Sequence, residues 1–98
     1  MNIVQQKNGT GLNIALEGRL DTMTAPRLET ELKDALEGVE SLVIDLEKLE
    51  YISSAGLRVL LSAQKIMNRQ GTMKVTRPNE IVREIFEVTG FTDILTIE

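Results

Sequence analysis

The chain has neither cysteine nor histidine among its 98 residues. The first absence removes a disulfide framework, a thiol nucleophile and a thiolate zinc site. The second removes a Ser-His-Asp triad and any imidazole metal ligand. A serine nucleophile would lack its usual base, and the spacing of neither Lys48 nor Lys65 suggests a replacement. We expect no enzyme, no metal and no cofactor. Aromatic residues are scarce at 3%, with no tryptophan, so the core must be aliphatic. Positive charge is also short: 11 Lys and Arg against 15 Asp and Glu leave a net charge of −4. That balance argues against nucleic acid as a partner. No apolar run approaches the length of a membrane span, so direct membrane insertion is not expected. Asn2, Ile3 and Val4 read as the start of a strand rather than of a signal peptide, which leads us to expect a soluble, cytoplasmic protein.

What is present suits one domain over residues 1–98. Hydrophobic residues make up 42% and charged residues 27%, enough for a single core with a solvated surface. There is no internal repeat, low-complexity tract or linker. Residues 2–7 and 12–16 read as two strands joined by Asn8-Gly9-Thr10-Gly11, a hairpin signal. That glycine pair lacks the lysine of a phosphate loop and leads into a strand, so it is read as a turn. Gly18 to Thr22 reads as a loop.

Pro26 sits in the first turn of a helix whose apolar stripe is Ala25, Leu28, Leu32, Ala35 and Leu36, with Gly38 at its end. Leu42-Val43-Ile44-Asp45-Leu46 predicts a central strand covered on both faces. Asp45 is expected at a strand end or on a backbone amide. Residues 47–52 read as a connector. A second helix runs from about Ser54 to Arg69, apolar around much of its circumference, which implies deep packing or surface offered to a partner. Met73 to Thr76 is a further strand. Pro78 opens a last helix with Ile81, Val82, Ile85 and Phe86 facing inward, and Ile94 to Ile97 forms a terminal strand. Single strands alternating with helices predict an α/β fold with right-handed crossovers, its mixed sheet beginning with a hairpin and carrying about three packed helices. The four methionines are expected to fill gaps in the core, and Tyr51 to pack its ring with the hydroxyl near the surface.

The segment YISSAGLRVLL, residues 51–61, is the most informative stretch. It sets Ser53 and Ser54, then Ala55 and Gly56, at a strand-to-helix junction. A helix start offers unpaired N–H groups and the positive end of the dipole, which favours a phosphate. Either serine also suits an N-cap, the expected use of Ser53. Arg58 shares a helix face with Ser54 and either pairs with a phosphate there or is a solvated surface arginine. Asp21 either caps a turn or positions a partner's site.

With that element order in place, the chain resembles the STAS domain family, and within it the stand-alone anti-sigma factor antagonists. Three parts carry the resemblance: Gly18-Arg19-Leu20-Asp21 followed by Thr24-Ala25, the strand Leu42 to Leu46, and the motif Ser53-Ser54-Ala55-Gly56-Leu57. The resemblance implies a phosphorylation-controlled binding module of bacterial signal transduction and transcription regulation, and not an enzyme. Unphosphorylated, such a module sequesters an anti-sigma factor that is also a serine protein kinase, which frees a sigma factor. Phosphorylation separates the pair, and a metal-dependent serine phosphatase resets the switch.

Carried over by position, the phosphoacceptor is Ser54, with Ser53 as the alternative. The partner surface comprises Asp21, Thr22, Ser53, Ala55, Gly56, Leu57, Arg58 and Ser62. The chain departs from the family pattern at Ser53, where aspartate is usual, and at Arg58, where many members have glycine. A constitutive STAS-type subunit of a lipid or solute transport complex is the competing reading. A small-molecule or nucleotide sensor ranks last, since no phosphate loop or adenine pocket is visible.

Overall fold

The computed structural model describes all residues, Met1–Glu98. A four-stranded sheet in the order β1-β2-β3-β4 forms its base. The strands are β1 (Asn2–Asn8), β2 (Gly11–Leu20), β3 (Ser41–Ile52) and β4 (Thr72–Thr76). β1 and β2 are an antiparallel hairpin, while β2, β3 and β4 run parallel. Helix α1 (Ala25–Ala35) joins β2 to β3, α2 (Ser54–Met67) joins β3 to β4, and α3 (Glu80–Val88) follows β4. The mixed α/β architecture with an opening hairpin and three helices agrees with the sequence expectation.

The helices all lie on one face of the sheet. Leu12, Leu42 and Met73 sit in register across β2, β3 and β4, as do Ile14, Ile44 and Val75, and all six are buried. Together with Leu28, Leu32, Leu57, Leu60, Val82 and Phe86 from the helices they form one core cluster, aliphatic but for Phe86. The alternate residues point the other way. Asn13 and Lys74 are exposed, while Ala15, Val43, Asp45 and Thr76 are half-buried. The expectation that β3 is covered on both faces is therefore corrected. Right-handed crossovers in one direction along the sheet place both crossing helices on the same side.

β2 and β3 also outrun their expected lengths. Gly18 to Leu20 belong to β2 rather than to a loop, and Glu47 to Ile52 continue β3 rather than connect it. Register shifts after Ala15 and after Gly18 let the pair absorb residues that break simple alternation. Gly18 lies at φ 99°, where side-chain-bearing residues are strained.

Toward the C-terminus three further expectations change. Asn79 caps α3 by accepting the Val82 N–H at 2.8 Å, so Pro78 precedes the cap instead of opening the helix. Val82 and Phe86 are buried and Ile85 is half-buried against the core, so of the expected inward stripe only Ile81, 58% exposed, points to solvent. Residues 94–97 form no regular strand. A short 3-10 turn (Phe91–Asp93) leads to a single parallel bridge from Ile97 to Val75. Met67 and Met73 fill the core as expected, whereas Met23 stands in a loop at 87% exposure.

Asp45 lies on the open sheet face and is half-buried there. It accepts the Glu47 N–H at 3.0 Å and pairs with Arg77, which also holds Glu47 at 2.7 Å. Burial acts to raise the Asp45 pKa, but the hydrogen bonds from Arg77 and Glu47 outweigh it and hold the carboxyl below its usual range. Asp45 therefore serves a structural ion pair.

Candidate functional site

The site is the end of the sheet where β2 and β3 finish and α2 begins. The Ser53 N–H donates to the Leu20 carbonyl at 2.9 Å, which ties the two strand ends together. Ser53 then takes an extended conformation and acts as the α2 N-cap, its Oγ accepting the Gly56 N–H at 3.5 Å. Its carbonyl accepts the Leu57 N–H at 2.9 Å and starts the helical ladder.

Ser54 is the first residue of α2. It is exposed, and its hydroxyl makes no hydrogen bond within the chain. The two serines thus differ in use: one is occupied by the helix terminus, the other is free at it. The dipole end and uncommitted N–H groups around Ser54 favour negative charge.

Close packing sets the angle of α2. A Cβ on Gly56 would lie 2.6 Å from Leu20 Cγ and 2.8 Å from Ile52 Cγ1, so only glycine lets the first turn sit on the strand ends. Gly56 and Leu57 are buried. They shape the terminus from beneath. Behind them α2 buries Val59, Leu60, Ala63 and Met67 and leaves Ala55, Leu61 and Ile66 half-buried. Deep packing accounts for its broad apolar circumference.

The turn Asp21–Thr24 follows directly on Leu20, the strand end to which Ser53 is bonded. Asp21 Oδ1 accepts the N–H groups of Met23 at 3.0 Å and Thr24 at 3.2 Å. Thr24 Oγ1 accepts the Asp21 N–H at 2.9 Å and donates to the Arg19 carbonyl at 2.9 Å. This reciprocal bonding is capping-box chemistry, and it fixes the approach to α1. Burial acts to raise the Asp21 pKa. The amides of Thr24 and Met23, the Thr24 hydroxyl and the charge of Arg19 overcome that and hold it below the usual carboxylate range. Asp21 is therefore ionised at neutral pH and caps the turn.

Thr22, Ala25, Pro26, Glu29, Ala55, Arg58 and Ser62 line a groove between α1 and α2 that opens beside this turn. Thr22, Arg58 and Ser62 are exposed, and Arg58 has no carboxylate within ion-pair distance. Ser54 lies outside the groove's lining.

Sequence reasoning missed three neighbours of the site. Thr24 completes the box with Asp21, and its spacing three residues on was the available signal. Arg19 and Tyr51 face each other across β2 and β3, with the guanidinium 4.6 Å above the ring centroid. That pairing depends on strand register and on the shift after Gly18, which the sequence does not display. Arg19 also lies 3.9 Å from Asp21. No group of carboxylates is arranged to hold a metal ion.

This arrangement agrees with similarities to known proteins. A family model described as "Mlab, STAS domain" matches residues 3–96. BtrV of Bordetella bronchiseptica, provisionally named an anti-sigma factor antagonist, is 37% identical over 99% of this chain and 85% of its own length. An anti-sigma-B factor antagonist of Listeria monocytogenes is 31% identical over 100% of this chain and 90% of its own. Among solved structures, an anti-sigma factor antagonist from Mycobacterium paratuberculosis superposes with a TM-score of 0.89 at 22% identity, covering 98% of this chain and 83% of that one. SpoIIAA of Bacillus in its phosphorylated form gives 0.77 at 17% identity over 99% of this chain and 91% of that one. These two share the fold. The family match and the BtrV identity, spanning nearly every residue, establish that the chain belongs to the STAS domain family, as a binding protein of the anti-sigma factor antagonist kind and not an enzyme.

Proposed function

We propose that this protein is an anti-sigma factor antagonist that works by partner switching in the bacterial cytoplasm. Unmodified, it sequesters an anti-sigma factor that is also a serine kinase, and a sigma factor is released. Phosphorylation of Ser54 by that kinase ends the complex, and a metal-dependent serine phosphatase restores it. One observation carries the choice of residue: Ser54 is exposed and unbonded at the head of α2, while Ser53 is engaged as its cap.

The chemistry supports a switch that spares the fold. A phosphoryl group adds about 1.5 to 2 negative charges and three strong acceptors. At an exposed helix N-terminus that charge is favourable by about 0.3–1 kcal/mol, so the domain keeps its shape. A partner seated over Asp21, Thr22, Ala55, Arg58 and Ser62 must accept the dianion at its interface. Close like charges there cost several kcal/mol, enough to change affinity by orders of magnitude. Arg58, unpaired and one turn below Ser54, is the phosphate's partner within the chain.

Binding of Ser54→Ala and Ser54→Asp to the purified anti-sigma kinase of the same bacterium tests this reading. The alanine variant should hold the kinase persistently in the presence of ATP, and the aspartate variant should bind at least about tenfold more weakly. Equal affinities would contradict it.

A further inference from the structure

The exposed face of α2 carries a row of cations. At about 100° per residue, Ser54, Arg58, Ser62 and Lys65 fall within about 80° of one another, and Arg69 follows in the turn that closes the helix. All five are exposed. No Asp or Glu occurs between Ser54 and Arg69. None of the three cations makes an ion pair. Helix α1 behaves differently, neutralising its surface with Arg27–Glu31 at 3.1 Å and Lys33–Glu29 at 3.5 Å.

Helix stability accounts for only part of this row. Lys65 and Arg69 lie at the C-terminal end, where cations complement the dipole. Arg58 is in the second turn, at the end where a cation gains nothing from it. Three unpaired cations therefore line up behind the free hydroxyl of Ser54, on a chain whose net charge is −4.

We infer that this row is the electrostatic part of the partner surface and docks an acidic face of the anti-sigma factor kinase. The inference rests on the reading of Ser54 given above. From Arg58 to Arg69 the row extends about 16 Å, so the complementary face carries carboxylates spread over a similar length. A nucleic-acid duplex or anionic lipid surface fits less well. Three cations offer few phosphate contacts, and Glu29, which shares a groove with Arg58 and Ser62, together with the net negative charge of the chain, opposes a long polyanion.

The row also explains how one modification acts at a distance. A phosphoryl group on Ser54 reduces its charge from +3 to about +1. Electrostatic steering of the kinase then weakens along with the local fit.

Stopped-flow association of the full chain with the kinase, at about 50 and 300 mM salt, tests the inference on Lys65→Glu/Arg69→Glu. Both positions are exposed and far from Ser54, and thermal melting verifies that the variant folds. The association rate should fall about tenfold at low salt, with little change in dissociation rate, and the deficit should shrink at high salt. An unchanged association rate, or a loss indifferent to salt, would overturn the inference. So would tighter binding of the wild type to a 20-base-pair duplex or to phosphatidylserine vesicles than to the kinase. The two proposals fail separately. If Ser54→Asp binds as Ser54→Ala does, the reading of Ser54 falls. If Ser54→Asp is weak while the double variant associates like wild type, only the cation row falls.

Discussion

The backbone N–H of Ser53 donates to the carbonyl of Leu20 at 2.9 Å. This bond carries the β2–β3 pairing one step beyond Leu20 and Ile52 and fixes the junction from which the site is built. On one side the chain continues into the Asp21–Thr24 box, and on the other into α2 with Ser54 at its head. A phosphoryl group on Ser54 would therefore appear at a fixed helix terminus.

Ser53 and Ser54 should separate stability from switching. Ser53→Ala removes the cap and should cost about 0.5–1 kcal/mol, the low end of the capping range because the bond is long at 3.5 Å. Ser54→Ala removes no intrachain bond and should leave stability within about 0.5 kcal/mol of wild type. Urea denaturation of both variants measures this, and equal losses would mean that Ser54 also serves the helix.

Gly56→Ala should destabilise the domain although alanine is the better helix former. The added methyl meets Leu20 and Ile52 side chains, both buried and without room to yield. Overpacking costs about 1–3 kcal/mol, and the propensity gain of about 1 kcal/mol offsets only part of it. We expect a net loss of about 1–2 kcal/mol in urea denaturation, with kinase affinity reduced because the α2 terminus shifts. A variant as stable as wild type would show that the strand ends adjust.

Much of this was readable before the structure, because local chemistry spoke for itself. The Asn8-Gly9-Thr10-Gly11 turn places Gly9 at φ 63°, as such a hairpin requires. The stripe of α1 buries the side chains its spacing selects, Ala25, Leu28 and Leu32. Ser53 was legible as a cap from its position alone. What escaped was decided between distant residues. Val43 and Asp45 look like part of a buried run, yet whether a strand's second face is covered depends on where crossing helices go. Glu47, Lys48 and Glu50 look unlike a strand because the sheet leaves that part of β3 in solvent. Ile81 resembles a core residue in a helical stripe, but nothing packs over it. The Arg19–Tyr51 pair exists only through inter-strand register.

The pH dependence of stability should reveal the Asp45–Arg77 pair. The folded-state pKa of Asp45 is lowered, so its contribution is complete above the ordinary carboxylate pKa and is lost as pH falls through the folded value. Asp21 acts in the same direction. Melting temperature should therefore decline on acidification below about pH 4, and Asp45→Asn should lower it at neutral pH and flatten the acid limb. An acid limb identical to that of wild type would mean that the pair contributes nothing to folding.

The central claim is that Ser54 is the modified residue of a phosphorylation switch. Intact mass of the protein purified from its native host, with and without phosphatase treatment and with the added group mapped by fragmentation, tests this most directly. A phosphatase-sensitive phosphoryl group is expected on Ser54 under at least one growth or stress condition. A phosphoryl group on Ser53 alone, or an unmodified protein under every condition, would contradict it.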